Sequence, residues 1–264
     1  MASVSISPEL TSMDAFVDVV SRDAGSPDTA QRLCAVGRYC ALGRGEALGG
    51  EASEDLLVFI ANGAAKLTAS SIPVAASRAK GHAAGQLQSP SCTHVLAFHF
   101  AGDIVSVLRR SGGDFGLAAL CPTDLVVFSA GQFLDVAQDD PVIIRTVLTG
   151  SLQALHRSRT RMMQLGYKSA RQRLAGFLLA IARRLHGAKG MPLSATCEVT
   201  LPMSRGDIAD SLGLTLETVS RQFAELREAG LVVTQGRSLV RLTDTAALAR
   251  EAGEEFLGAD PPPV

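Results

Sequence analysis

Leu201–Leu231 reads LPMSRGDIADSLGLTLETVSRQFAELREAGL, and the fold turns on this stretch. Ser204, followed three residues later by Asp207, has the spacing of a capping box that opens a helix. Ile208, Ala209 and Leu212 give that helix an apolar side. Gly213 falls where the chain must turn sharply, a position that suits a residue without Cβ. Thr215 can cap a second helix by accepting from its first free amides. On this helix Val219, Phe223 and Leu226 recur at i, i+4 and i+7 and form one buried stripe. Glu217, Ser220 and Arg221 recur at i, i+3 and i+4 and form a separate, outward face.

The outward trio has a chemical sense. Arginine can donate two parallel hydrogen bonds to guanine O6 and N7, and glutamate can accept from the cytosine amino group. Serine is small enough to let a helix approach the groove floor. An ordinary amphipathic helix with a solvated Glu–Arg pair, worth ~0.2–0.5 kcal/mol, would present the same residues. The turn, the two caps and the hairpin that follows favour a helix-turn-helix. That hairpin is Leu231–Leu242, LVVTQGRSLVRL, which alternates around Gly236 as a β-wing with Arg237 at its tip. Ser204, Arg205, Thr215, Thr218 and Arg237 are the expected phosphate contacts, which set position but not sequence.

Upstream, Lys168–Leu185 predicts a supporting helix with apolar Leu174, Phe177, Leu178 and Ile181. Asp140–Leu165 predicts one continuous helix, with Pro141 suited to its first turn. Ile144, Leu148, Leu152, Leu155 and Met162, with Leu165, recur at threes, fours and sevens, interrupted by Arg159. This narrow seam fits a two-stranded coiled coil and hence a homodimer; packing on the chain's own sheet is the other reading. Gly166-Tyr167 is the expected hinge. Between residues 32 and 136 short β-favouring runs, LLVFIANG (56–63), THVLAFHF (93–100) and LVVFSAG (125–131), are separated by glycines and predict an antiparallel sandwich or roll. An Ala-, Ser- and Gly-rich insertion, 69–92, is expected to be a long hairpin loop. The fold class is therefore α+β. The division expected is an N-terminal extension (1–30) containing a short helix near Met13–Val20, a β-roll sensor (31–138), a dimerisation helix (139–166), a winged helix-turn-helix (167–250) and an acidic Pro-rich tail (251–264).

Net charge is −1, but it is unevenly spread: residues 1–141 carry 9 Lys+Arg against 15 Asp+Glu, residues 142–165 carry 4 against none, and residues 166–251 carry 12 against 8. An acidic front and a basic back suit a sensor joined to a nucleic-acid reader. With 47% hydrophobic and 19% charged residues, a sizeable core is expected. No run approaches the ~20 apolar residues of a membrane helix. The N-terminus lacks the pattern of a signal peptide, and five irregularly spaced cysteines do not suggest a disulfide framework. A cytoplasmic protein without membrane contact is expected.

The segment LPMSRGDIADSLGLTLETVSRQFAELREAGLV resembles the DNA-binding domain of the CRP/FNR family of bacterial transcription regulators, and more closely its FNR and FixK-type branches. Glu217, Ser220 and Arg221 fall on the branch's E-x-x-S-R reading motif. The resemblance extends through KSARQRLAGFLLAIARRL and, more loosely, Phe98–Ile104. It departs at Gln222, where the family often has a small or apolar residue facing the first helix; this glutamine either turns outward or loosens the docking. The resemblance implies a β-roll of the cyclic-nucleotide-binding type, a homodimer on double-stranded DNA with TTGAT-like half-sites, RNA polymerase as a partner, and control of genes of low-oxygen or nitrogen-oxide metabolism, with activation or repression left open.

No cofactor is expected. A cyclic nucleotide needs a phosphate cradle, and AGDIVSVLRRSGGDFGLAALCPTD (101–124) offers Gly102-Asp103 but no Arg-Ser/Thr-Ala cluster; Arg109 and Arg110 suit a solvated turn. An iron–sulfur cluster needs four thiolates, and Cys34 and Cys40 have no near neighbour, although either could be a redox thiol. His94 and His99 point to opposite faces of a regular strand and cannot share a metal without a bulge, although His82 could join one of them. Haem ligation by a single histidine is compatible with any of the five and shown by none, and ordinary surface or half-buried histidines are the expectation. A cupin-like metalloenzyme using His82, His94 and His99 and a protein-interaction module are the rival readings; the first lacks two histidines spaced by two residues, and no catalytic residues are assigned.

Overall fold

The computed structural model describes residues 8–21, 27–49, 54–71, 92–108, 114–186 and 193–254. The chain forms two compact units, Met1–Leu155 and His156–Val264.

Among its described residues the first unit holds seven strands: β1 (Arg38–Leu42), β2 (Leu56–Asn62), β3 (Ala64–Ser71), β4 (Cys92–Phe100), β5 (Ile104–Val107), β6 (Asp114–Ala119) and β7 (Thr123–Ser129). They make two antiparallel sheets, ordered β1-β7-β2-β5 and β4-β3-β6. Side chains alternate across a strand, and here both faces of β2 and β7 are buried. Val58 and Ile60 of β2 join Leu125 and Val127 of β7 in a core shared with Ala65, Leu117 and Ala119 of the other sheet. Phe59, Val126 and Phe128 point the other way into a second core. Double burial explains why these strands read as continuous apolar runs rather than alternating ones. Gly63 joins β2 to β3 at φ +87°, and a Cβ there would lie 2.5 Å from the Pro122 carbonyl oxygen.

The second core is closed by helices. Residues 1–30 were expected to be an extension with one short helix. Instead α1 (Pro8–Ser21) and α2 (Pro27–Val36) cover the outer face of the four-stranded sheet. Phe16 is fully buried, its ring centroid 5.4 Å from that of Phe59 and 4.9 Å from that of Phe128. The polar composition of the stretch hid the spacing of Phe16, Val20 and Leu33. Helix α3 (Ala130–Ala137) follows β7 directly and adds Phe133 to the same core, so the apolar run at 125–131 ends as helix rather than strand.

Helix α4 runs Pro141–Tyr167. Asp140, buried, caps it by accepting from the amides of Val142 (3.1 Å) and Ile143 (3.2 Å). The helix continues through Gly166 and Tyr167, so these are not a break in the chain. The break falls at Lys168-Ser169, and it is pinned. The Lys168 amide donates to the Gln164 carbonyl (3.0 Å), and its buried ammonium donates to the Ala252 carbonyl (2.8 Å). The hinge expectation is thus corrected: helical hydrogen bonding carries a lone glycine at a cost of only ~1 kcal/mol.

The second unit contains α5 (Ala170–His186), β8 (Cys197–Thr200), α6 (Arg205–Leu212), α7 (Leu216–Glu228), β9 (Val232–Gln235), β10 (Leu239–Leu242) and α8 (Thr245–Glu251). The hairpin β9–β10 turns at Gly236 (φ 63°), and β8 adds a third strand in the order β8-β10-β9. Strand β8 and helix α8 are too short to stand out in the sequence. Helix α8 is capped by Asp244 and bound to α5 through Arg171–Glu251 (2.7 Å), and Arg183 of α5 pairs with Glu254 just past the end of α8 (2.5 Å). Among the described residues no helix is long and apolar enough to cross a membrane. The 72–91 part of the insertion, with His82, and Arg109, Arg110 and the end of the tail lie outside the described residues.

Candidate nucleic-acid interface

Local hydrogen bonds build the site. The Ser204 hydroxyl accepts from the Asp207 amide (3.1 Å), while the Asp207 carboxylate accepts from the Ser204 amide (2.9 Å), a complete capping box on α6. Gly213 ends α6 in the left-handed region at φ 62°, which favours glycine. Two residues on, the Thr215 hydroxyl accepts from the Thr218 amide (3.2 Å) and starts α7. Val219, Phe223 and Leu226 are buried, so α7 docks through the stripe its spacing predicts.

Glu217, Ser220 and Arg221 are all exposed on the opposite face. Hydrogen bonds from its own amide and from Thr215 hold the Glu217 carboxyl below its ordinary range. The shift favours the carboxylate, whose two oxygens both accept hydrogen bonds. The Ser220 hydroxyl donates to the Leu216 carbonyl (2.9 Å), which leaves its lone pairs outward. Arg221 is only loosely tethered, its Nε 3.8 Å from a Glu225 oxygen. Leu216, at the start of α7 and beside Glu217, is 49% exposed. It was not picked out from the sequence, where a leucine so close to a cap looks like core. Its spacing, three residues before Val219 and seven before Phe223, places it on the buried face, so no signal in the sequence marked its exposure.

The expected phosphate contacts differ in setting. Ser204, Thr215 and Arg237 are exposed. The Thr215 and Thr218 hydroxyls lie 3.0 Å apart and bond each other. Arg205 is folded inward: its guanidinium carbon stands 3.1 Å over the Phe223 ring, and one terminal nitrogen is buried without a hydrogen-bond partner. Burial, then the nearby Arg227, pull its pKa down to about 10. Gln222 does not turn outward. It is buried, and its amide donates to Glu225 (3.1 Å), so the docking surface accommodates a glutamine by satisfying it.

Along α4 the expected seam divides. Ile144 is half-buried and packs with Val147 against the core of its own unit. Leu148, Leu152, Leu155 and Met162 are 55%, 56%, 47% and 70% exposed, and Met163, Leu165 and Tyr167 are exposed beside them. These apolar side chains are exposed in the single chain, where burial would be expected of residues in a packed core.

Other candidate centres are less prepared. Burial and the nearby Asp14 push the Cys34 thiol up, away from the thiolate that redox reactivity needs. Cys40 packs against the core of the roll. A bulge is present in β4, where pairing passes from Ala97 to Val95 and skips Leu96. Even so, His99 is buried and His94 exposed. Their partners Ala65 and Ala69 are four residues apart on β3, about 13 Å, too far to share an ion. Among the described residues no group of three or more His, Cys, Asp or Glu could hold a metal.

An antiparallel two-sheet roll, a long helix with an uncovered stripe, and a capped helix-turn-helix with a three-stranded wing define the class of protein. Comparison with known proteins agrees. Residues 172–251 match the Crp-like helix-turn-helix domain. The transcriptional activator protein FnrL of Cereibacter sphaeroides is 38% identical over 141 residues, 53% of this chain and 57% of FnrL. The transcriptional regulatory protein btr of Bordetella pertussis is 32% identical over 173 residues, 65% of this chain and 67% of btr. The structure of FixK2 from Bradyrhizobium japonicum superposes with a TM-score of 0.61 at 26% identity, covering 81% of this chain and 96% of that one. The chain spans between 56% and 65% of the length of the first curated relatives it matches. The chain belongs to the CRP/FNR family of transcription regulators, in its FNR/FixK branch. These relatives are regulators, not enzymes.

Proposed function

We propose that this protein is a sequence-specific DNA-binding transcription regulator that works as a homodimer on a palindrome with TTGAT-like half-sites. The observation that carries this reading is the capped, docked α7 with Glu217, Ser220 and Arg221 on its free face. An ionised acceptor, a small hydroxyl and a mobile guanidinium are the groups that major-groove base edges call for. Leu216 adds an apolar contact suited to the thymine methyl, the groove's one apolar feature. Ser204, Thr215, Thr218 and Arg237 set register on the phosphates, while Arg205 serves mainly as packing against Phe223.

Pairing through Leu148, Leu152, Leu155 and Met162 of α4 brings two α7 helices to successive major grooves, about 34–36 Å apart. Ile144 belongs to the fold rather than to the pairing. In this reading residues 31–138 are a sensor, 139–166 the dimerisation helix and 167–250 the reader. The chain acts in the cytoplasm, contacts RNA polymerase and activates genes of low-oxygen or nitrogen-oxide metabolism, a regulon that rests on the branch resemblance. No cofactor enters the reading. Selection of bound duplexes from a random pool tests it: a palindrome with two TTGAT-like arms is expected. Unselective binding, or none at salt concentrations where phosphate contacts persist, would overturn it.

A further inference from the structure

The end of α4 and the turn of the helix-turn-helix are joined by one guanidinium. Arg173, in the first turn of α5, donates from Nε to the Lys168 carbonyl (3.0 Å) and from Nη1 to the Leu212 carbonyl (2.9 Å). Lys168 is the residue just past α4, locked by its own amide to Gln164. Leu212 is the last residue of α6, and its carbonyl is one of those a helix end leaves without an intrahelical partner. Next to it, an added Cβ on Gly213 would meet Leu165 Cδ2 of α4 at 3.2 Å and Arg173 Nη1 at 3.9 Å. The contact is thus made twice, once polar and once apolar, within a single compact unit.

We infer that Arg173 is a positioning residue: it fixes the offset of the recognition helix from the end of α4, and so sets the half-site spacing the dimer accepts. This deepens the proposed function and rests on it. The turn carries α7 directly, so its placement against the last turn of α4 becomes the placement of the reading face against the pairing helix. Two such faces must fall one DNA turn apart. A rigid planar fork can bond two carbonyls at once, whereas the compact ammonium of lysine cannot hold both in one geometry.

The test compares wild type, Arg173→Met, Arg173→Lys and Leu165→Ala on three duplex types. These are a palindrome of TTGAT arms at its best spacer, the same arms with the spacer one base pair longer or shorter, and a single arm. Arg173→Met is expected to bind the single arm within about twofold of wild type, yet to lose about tenfold on the best palindrome and most of the preference between spacers. Arg173→Lys is expected to follow it. Leu165→Ala removes the apolar half of the tie, and because Leu165 also borders the exposed stripe of α4 its dimer affinity is measured alongside by sedimentation; at concentrations where the dimer is intact it is expected to shift spacer preference in the same direction, and it carries the test should Arg173→Met not fold. Equal losses on single arm and palindrome, or an unchanged spacer preference in both Arg173→Met and Leu165→Ala, would reduce Arg173 to a stability role and overturn the inference. Failure of the wild type to prefer any duplex would overturn the proposed function, and this inference with it.

Discussion

Arg221→Ala isolates what one side chain of the reading face contributes. In the free protein its guanidinium is exposed and held only by the 3.8 Å contact with Glu225. Releasing an i, i+4 pair of this kind costs about 0.2–0.5 kcal/mol, so little is lost before it reaches DNA. A bidentate arginine–guanine pair is worth about 1–3 kcal/mol of discrimination, or roughly 5- to 150-fold in affinity. The substitution leaves the stripe of Val219, Phe223 and Leu226 untouched, so the melting temperature is expected to stay near wild type. Fluorescence titrations against the palindrome and a set of single-base replacements provide the assay. Affinity for the palindrome is expected to fall by that factor per half-site, and replacement of the contacted guanine to cost the variant almost nothing further. If random and specific duplexes lost affinity equally, Arg221 would be a phosphate contact and the base-reading argument would fail.

Four further outcomes follow from the geometry. Leu152→Glu places a charge in the uncovered seam of α4 and is expected to weaken dimerisation about thirtyfold or more; sedimentation analysis that found an unchanged dimer would move the interface elsewhere. Ser204→Ala removes the hydroxyl half of a complete capping box and is expected to lower stability in thermal unfolding by about 1 kcal/mol; no change would mean α6 is held by packing alone. Gly63→Ala forces a Cβ to within 2.5 Å of a backbone oxygen at positive φ and is expected to cost more than about 2 kcal/mol in the first unit; a near-neutral calorimetric result would refute that close approach. For Arg205, the folded pKa of about 10 lies below the ordinary guanidinium value, so the folded state gives up its proton first. The penalty on the charged form is then fully present below about pH 10 and lessens as pH rises above that toward the ordinary guanidinium value. At neutral pH Arg205→Met is expected to leave the melting temperature unchanged or raised; a loss above ~1 kcal/mol would show that its stacking on Phe223 outweighs desolvation.

The helix-turn-helix was legible because each of its parts is local. A cap and its partner are three residues apart, a docking stripe recurs at three and four, and one glycine marks the turn, so a window of about thirty residues determines both the fold and the free face. Arg205 shows where locality ends: a basic residue at the first helical position reads as a phosphate ligand, and only tertiary packing lays it over Phe223, eighteen positions away in sequence. Gln222 is the converse, a polar residue inside a docking stripe that is tolerated because Glu225 lies one turn on. Helices α1 and α2 escaped for a related reason, since their partners Phe59 and Phe128 belong to strands far along the chain.

The same contrast explains why the roll discloses no signal. Any pocket inside it would be lined by residues from several strands brought side by side, and a one-residue slip changes which of them face inward. The skipped Leu96 is such a slip: with regular alternation His94 and His99 would be placed by counting, whereas the bulge resets the count between them. His99 ends buried, with Nδ1 3.6 Å from the Asp103 carboxylate and Nε2 lacking a hydrogen-bond partner, an arrangement that no spacing rule in the sequence anticipates. A helix-turn-helix requires only that one helix present one free face, and is therefore written in one segment. A roll's response depends on which strands meet, so it is written in the register of the sheet rather than in any run of residues.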